Sequence, residues 1–139
     1  MRLDIGFEHL RPLVGFDGNE ACGFLIADGE AIIDVWPTPS LRPSSTFYSI
    51  GRNAWIAAHR RAAANGVRVV GSIHTHPDGP RGPSELDLAI ARRLRHGELR
   101  AVWHPRSGTL TLYSRQGIIA TTVIPRPWWL RLIAPLFFA

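Results

Sequence analysis

Residues 67–90 read VRVVGSIHTHPDGPRGPSELDLAI. The part from Val67 to Ile73 is almost entirely apolar and rich in β-branched residues, which predicts a buried strand. Residues 78–83 are dominated by glycine and proline and predict a loop in which the chain reverses. From Ser84 to about His96, apolar residues recur at helical spacing and predict a helix. This stretch therefore predicts a strand, a reversal and a helix, and the rest of the fold is built around it.

Two histidines follow the predicted strand directly. Because residues two apart on a strand point to the same face, His74 and His76 can reach one ion. Asp87 falls in the first turn of the predicted helix, which faces back toward the end of the strand. Two imidazoles and one carboxylate, with a fourth position left for water, form a common ligand set of catalytic zinc. We therefore predict a zinc site at His74, His76 and Asp87.

A hydrolytic zinc site also needs a carboxylate that takes a proton from water and passes it to the leaving group. Glu20 opens the apolar stretch from Glu20 to Ala27, whose composition predicts a central strand. A carboxylate at the start of that strand lies near an end of the sheet, where it can face the histidines. Glu20 is therefore the predicted acid/base.

Each of these residues also has an ordinary structural interpretation. Ser84 and Asp87 are spaced as a helix N-cap, in which the side chains bond the first backbone N–H groups. An isolated pair of histidines is often hydrogen-bonded in a core, and an isolated Glu20 is expected on the surface before a strand. Each alternative explains one position, whereas a metal site explains all of them together.

The combined motifs resemble those of the JAMM (MPN+) metalloproteases, also called the JAB-domain family, in its small stand-alone prokaryotic form. The resemblance extends from Glu20 to Ile124 and rests on the strand containing Glu20-x-Cys22-Gly23, on His74-x-His76-Pro77 and on Pro83-Ser84-x-x-Asp87. It implies one zinc ion per chain held by His74, His76 and Asp87, with Glu20 as acid/base. It also implies that Ser84 donates a hydrogen bond to the tetrahedral oxyanion.

The same resemblance implies a substrate class. Family members hydrolyse peptide or isopeptide bonds, often at the C-terminus of ubiquitin, of ubiquitin-like proteins or of sulfur-carrier proteins. The run from Asp87 to the next strand leaves no room for the long insertion with which larger deubiquitinating relatives grip ubiquitin. We therefore expect a smaller ubiquitin-like or sulfur-carrier protein as substrate. A non-catalytic docking scaffold of the MPN type that binds a protein partner is the alternative hypothesis.

The chain of 139 residues predicts one α/β domain, residues 1–124, with a mixed, largely antiparallel sheet flanked by helices. The resemblance implies the MPN/JAB fold, which is similar to that of cytidine deaminases. The segment from Glu8 to Asn19 contains Pro12, Gly15 and Gly18, which allow only a short helix where relatives have a longer one. The predicted strands are Leu3–Phe7, Glu20–Ala27, Glu30–Trp36 after a turn at Asp28-Gly29, Thr46–Ile50, Val67–Ile73, Leu99–Trp103, Thr109–Ser114 and Ile118–Ile124, and the predicted helices are Arg52–Asn65 and Ser84–His96.

Composition restricts the partners. All 16 basic residues are arginine, and the net charge is +5. The arginines form no dense cluster interleaved with aromatic residues, so we expect no nucleic-acid partner. No signal segment follows Met1 and no apolar span reaches about 20 residues, which predicts a cytoplasmic protein without a transmembrane segment. The apolar tail, residues 125–139, is expected to pack on the domain, in a homodimer or against a partner.

Cys22 is the only cysteine. It stands two residues after Glu20 and therefore on the same face of the predicted strand, where a role as a further metal ligand is conceivable. A buried, inert thiol is the preferred interpretation. A single cysteine excludes an internal disulfide and fits a reducing compartment.

Overall fold

A computed structural model describes residues 1–15 and 18–127. Seven strands form one sheet in the order β1-β3-β2-β4-β5-β6-β7. The pairs β1–β3 and β4–β5 are parallel and the other four are antiparallel. The predicted mixed, largely antiparallel α/β fold is therefore confirmed. The strands are β1 (Arg2–Leu3), β2 (Cys22–Asp28), β3 (Ala31–Thr38), β4 (Arg68–Thr75), β5 (Leu99–His104), β6 (Thr109–Ser114) and β7 (Gly117–Val123), and the helices are α1 (Phe7–Leu10), α2 (Arg52–Ala64) and α3 (Glu85–Ala91).

Strand β4 is central because it pairs with β2 on one side and with β5 on the other. Gly71 permits the close approach to β5, since a Cβ atom at this position would collide with the backbone carbonyl of Leu99. From Val70 to Thr75 the strand is buried throughout. The strand that ends at the histidines is thus held rigidly in the middle of the sheet.

The two faces of the sheet are covered by different segments. The N-terminal segment, with Phe7, Leu10 and Leu13, packs on one face. On the other face α2 packs on β2 through Ala58, and α3 packs on β5 and β6 through Ala91. The two longer helices therefore lie side by side on the face that carries the predicted site.

Several predicted element boundaries were wrong. Strand β1 is only two residues long, and Phe7 begins a short helix because Phe7 and Leu10, one helical turn apart, both enter the core. Residues 46–50 form no strand. Helix α3 ends at Ala91 instead of His96, since the amides of Arg93 and Leu94 bond carbonyls only three residues earlier, which tightens and ends the helix.

The turn between β2 and β3 lies one residue later than predicted. Asp28 pairs with Ala31, so the turn consists of Gly29 and Glu30, and Gly29 adopts the left-handed conformation with φ of 57°. The segment from Glu8 to Asn19 was expected to allow only a short helix, and α1, which begins one residue earlier at Phe7 and ends at Leu10, has four residues.

Residues 128–139 of the apolar tail lie outside the described residues, so its packing stays a prediction. The domain limits of 1–124 likewise stay a prediction. Among the residues the structure describes, no helix is long and apolar enough to cross a membrane.

Candidate metal centre

The two motif histidines lie where β4 leaves the sheet. His74 is within β4, and His76 follows it but remains attached to β5 because its amide donates to the carbonyl of Trp103 at 3.0 Å. Both imidazoles are buried. Their Nε2 atoms lie 3.1 Å apart, so the rings converge as the spacing predicted.

Asp87 joins them from the first turn of α3. Its carboxylate Oδ2 lies 3.3 Å from Nε2 of His74 and 3.2 Å from Nε2 of His76. The same oxygen accepts a hydrogen bond from the amide of Ser84 at 2.9 Å, and the amide of Asp87 donates to Oγ of Ser84 at 3.0 Å. The N-cap interpretation is therefore confirmed. The cap orients Asp87 toward the histidines, so the two interpretations do not compete.

The three converging atoms fit a single tetrahedral ion. With metal–ligand bonds of about 2.0–2.1 Å, ligand atoms of a tetrahedral zinc site stand about 3.3–3.4 Å apart. The separations between His74, His76 and Asp87 are 3.1, 3.2 and 3.3 Å. Hydrogen bonds alone explain this triangle poorly, because an N–H group is aligned with only one acceptor at a time. Lone pairs directed at a common centre suit a cation.

The two imidazoles are oriented by different means. Nδ1 of His76 lies 2.8 Å from the carbonyl oxygen of Pro80, which can only accept, so Nδ1 carries the proton and Nε2 offers a lone pair to the site. Nδ1 of His74 is buried and has no hydrogen-bond partner within residues 1–15 and 18–127. Instead, the ring of Tyr48 stacks on His74 at 4.4 Å and 20°, and the Tyr48 hydroxyl is hydrogen-bonded to Ser72 at 3.0 Å.

Glu20 lies just before β2, close to the two histidines. Its amide donates to the carbonyl of Ser44. In the next residue, Ala21, the amide donates to Oγ1 of Thr75 and the carbonyl accepts from the amide of Thr75. Oε1 of Glu20 is 3.8 Å from Nε2 of His76, whereas Oε2 is buried without a hydrogen-bond partner in the described part of the chain. A buried carboxylate oxygen without a protein partner is available to bond a water or a ligand.

Burial also sets the protonation of these groups. It raises the pKa of Glu20 to about 7; the nearby His76 opposes this shift and Asp87 adds to it. Burial opposes the ionisation of Asp87 too, but the close contacts with His74 and His76 and the hydrogen bond from the amide of Ser84 outweigh it and hold the pKa of Asp87 well below its ordinary value. Burial lowers the pKa of His74, which keeps this imidazole neutral. One carboxylate is thus a permanent anion and the other is poised to exchange a proton.

Either carboxylate is placed to be a metal ligand. Ligand atoms of Glu20, His74 and His76 all lie within 4.8 Å of one another, so these residues could bind a metal ion. Asp87 approaches both histidines more closely than the 3.8 Å that separates Glu20 from His76. Asp87 is therefore the carboxylate that approaches the histidines more closely, and Glu20 lies farther from them.

Cys22 is placed as an inert residue. Its Sγ donates to the carbonyl of Thr38 at 3.3 Å. Burial, with a contribution from the charge of Glu20, raises the pKa of the thiol to about 11. These observations favour a protonated structural thiol over a metal ligand.

Comparison with known proteins adds family information. The family described as prokaryotic homologs of the JAB domain matches residues 15–129. No curated protein matches the sequence. A solution structure of a protein from Desulfitobacterium hafniense has a TM-score of 0.62 and 23% identity, over 85% of this chain and 83% of that one.

Two further structures are similar. A JAB1/MPN domain protein from Archaeoglobus fulgidus has a TM-score of 0.51 and 19% identity, over 90% of this chain and 100% of that one. A protein from Salinibacter ruber has a TM-score of 0.52 and 21% identity, over 92% and 94%. At these identities the likeness shows a shared fold.

Proposed function

Because the chain belongs to the family of prokaryotic homologs of the JAB domain, we propose that it is a zinc-dependent hydrolase. It cleaves a peptide or isopeptide bond at the C-terminus of a ubiquitin-like or sulfur-carrier protein. One observation carries the proposal: Nε2 of His74, Nε2 of His76 and Oδ2 of Asp87 converge within 3.1–3.3 Å of one another, beside a buried Glu20 oxygen without a partner.

In this proposal His74, His76 and Asp87 hold the ion. A zinc ion at such a site supplies Lewis-acid chemistry and lowers the pKa of a water in its open position to about 7. The hydrogen bond from Nδ1 of His76 to Pro80 fixes the tautomer that binds metal. Stacking on Tyr48 fixes the ring plane of His74.

Glu20 moves the proton. Its carboxylate accepts a proton from the attacking water and then, as the acid, delivers it to the departing amine. The amide bond breaks, the carbonyl carbon gains the oxygen of water, and the amine leaves protonated by Glu20. The partnerless Oε2 is the atom that takes part in this exchange.

The hydroxyl hydrogen of Ser84 is available to form a hydrogen bond with the oxyanion. Its Oγ accepts the cap hydrogen bond from the amide of Asp87 through a lone pair, and the hydroxyl hydrogen is not used in that bond. A hydroxyl donor beside the ligands stabilises the negative charge that develops on the carbonyl oxygen during attack. The same residue thereby caps α3 and takes part in catalysis.

Replacing Ser84 by alanine is expected to lower kcat by roughly 100-fold, as is typical for the loss of one oxyanion donor. The lost cap is expected to lower the free energy of unfolding by about 1 kcal/mol. Steady-state kinetics and denaturant unfolding measure the two effects. Ser84→Thr, which keeps both the cap and the hydroxyl, is the matched control and should remain active. Unchanged turnover of Ser84→Ala would leave Ser84 with a capping role alone.

The proposed activity is tested by incubating the zinc-loaded protein with C-terminal fusions to small β-grasp proteins from the same genome. We expect mass spectrometry to find cleavage at the carrier terminus, its loss after chelation, and its return when zinc is added back. Cleavage that persists without metal would contradict the mechanism. Protein that is isolated metal-free, cannot rebind zinc and cleaves no fusion would instead favour the docking scaffold.

A further inference from the structure

A row of polar side chains crosses the sheet one step away from the metal ligands. Ser72 on β4, Arg100 on β5 and Tyr113 on β6 are neighbours in register, so their side chains share one face of the sheet. His74 follows Ser72 by two residues and lies on the same face. Ser72 and Tyr113 are buried. This row occupies positions where a sheet covered by helices ordinarily carries apolar side chains.

A cavity of about 240 Å³ lies over this row, between α2 and α3. It adjoins the metal centre because Asp87 forms part of its wall. One water occupies about 30 Å³ in the liquid, so the cavity has room for a group of several heavy atoms. Its polar lining is Tyr48, Ser49, Ser72, Asp87, Arg100 and Tyr113, and its apolar lining includes Ile50, Trp55 and Ile90. Asp87 is the anion of this lining and lies at the wall shared with the proposed metal centre.

Arg100 is the cation of this cavity, and its hydrogen-bonding capacity is largely unused. Its side chain is only 16% exposed. The guanidinium lies 3.6 Å from the carboxylate of Glu98 and 3.5 Å from the carbonyl of Leu99, both long contacts for a group with five N–H donors. Glu98 already forms an ion pair with the guanidinium at this distance, and the Trp55 ring centroid lies 5.7 Å from it. Most of the five N–H donors have no close acceptor among the described residues, so they remain available to a further anion.

Tyr113 adds a second unused donor. Its hydroxyl makes no hydrogen bond to any described residue, although the side chain is only 2% exposed and lines the cavity. The Tyr48 hydroxyl, by contrast, is already engaged by Ser72. An arginine and a tyrosine hydroxyl over the same space form a donor set suited to a carboxylate, and the apolar walls suit its carbon skeleton.

We propose that this cavity is a subsite for a carboxylate on the part of the substrate released by hydrolysis. Arg100 pairs with the carboxylate and Tyr113 donates to it. The inference rests on the proposed function and deepens it: the leaving group is small and anionic, with its carboxylate one row of the sheet away from the metal ligands. The carboxylate belongs either to a chain terminus or to an acidic side chain.

The test uses three N-acetylated tripeptides, each of which begins with two glycines. The third residue is alanine with a free carboxylate in the first peptide, alanine amide in the second and aspartate amide in the third. Binding is measured by NMR shift titration, with zinc and again after zinc has been removed and the chelator dialysed away. We expect the free acid to bind at least about tenfold more tightly than alanine amide in both states, as a charge-assisted bond implies. The aspartate peptide shows whether a side-chain carboxylate serves equally well.

Variants assign the preference to the cavity. Arg100→Gln is expected to reduce the ratio of the affinities for the alanine acid and the alanine amide to about one. Arg92→Gln, at an exposed arginine after α3, should leave this ratio unchanged. Tyr113→Phe, which removes only the hydroxyl, is expected to weaken acid binding about fivefold. It provides a second test if Arg100→Gln does not fold, as judged by circular dichroism.

Equal binding of acid and amide, a preference that survives in Arg100→Gln, or a preference that disappears with the zinc would overturn the inference. The last result would assign the carboxylate to the ion. Because binding is scored without turnover, these outcomes are independent of whether any β-grasp fusion is cleaved, which is the result on which the proposed function depends.

Discussion

Replacing Glu20 by glutamine is expected to lower kcat by roughly 10²–10⁴-fold, the range that a positioned general acid/base contributes. Glutamine has nearly the same shape but cannot exchange a proton. Zinc affinity should change little, because Glu20 stands 3.8 Å from His76, outside the triangle formed by Asp87 and the two histidines. The measurement is steady-state cleavage of a β-grasp fusion, combined with a zinc titration of the same sample.

Glu85→Gln is the matched control, since Glu85 is an exposed glutamate in the first turn of α3. It should keep both turnover and zinc. Full turnover in Glu20→Gln would remove Glu20 from the mechanism. A large loss of zinc in Glu20→Gln would make this carboxylate a ligand, an arrangement that its closeness to His74 and His76 permits geometrically.

Replacing Asp87 by asparagine is expected to weaken zinc binding at least roughly 100-fold, which is the upper end of what loss of an outer-shell partner costs. The carboxylate is the one permanent anion among the three proposed ligands, because its contacts with His74 and His76 hold its pKa low. Asparagine keeps an oxygen that can accept from the amide of Ser84, so the helix cap survives. Competition with a chromophoric chelator measures the affinity.

Asp78→Asn is the control for this change, since Asp78 is an exposed aspartate in the loop that precedes α3, paired with Arg106 at 2.9 Å. It should bind zinc as the wild type does. Unchanged affinity in Asp87→Asn, or an equal loss in Asp78→Asn, would contradict the assignment of Asp87 as a ligand.

The convergence of the three proposed metal ligands was predictable because these residues are local. His74, His76 and Asp87 lie within one strand, one loop and one helix turn, and strand alternation and helix capping fix their directions without knowledge of the rest of the fold. Glu20 required one further fact, that β2 runs antiparallel beside β4. Its place at the start of an apolar strand suggested that arrangement, and the family resemblance reinforced it.

The surroundings of the ligands were not predictable, because they depend on contacts between distant segments. Tyr48 lies in a segment that was wrongly predicted as a strand, and only the tertiary fold brings its ring onto His74. The role of Pro80 belongs to its backbone carbonyl, for which the residue type gives no signal. Ser72 and Arg100 did carry a signal, as polar residues within apolar strands, but their alignment required the strand order and register.

The boundaries that were wrong have a common physical cause. The N-terminal segment forms a helix at Phe7, where a strand was predicted, because one helical turn buries Phe7 and Leu10 together. The apolar periodicity after Ser84 continues beyond Ala91, yet the backbone tightens there and the helix ends. The spacing of apolar residues predicts reliably which face of a segment is buried. It predicts the end of the segment less reliably.

The central claim is that His74, His76 and Asp87 bind the same divalent ion. Anomalous diffraction from zinc-loaded crystals, recorded on both sides of the zinc absorption edge, tests it most directly. We predict one peak per chain, about 2.0–2.2 Å from Nε2 of each histidine and from a carboxylate oxygen of Asp87. Zinc-loaded crystals with no peak at this position, or with the two imidazoles turned away from each other, would contradict it.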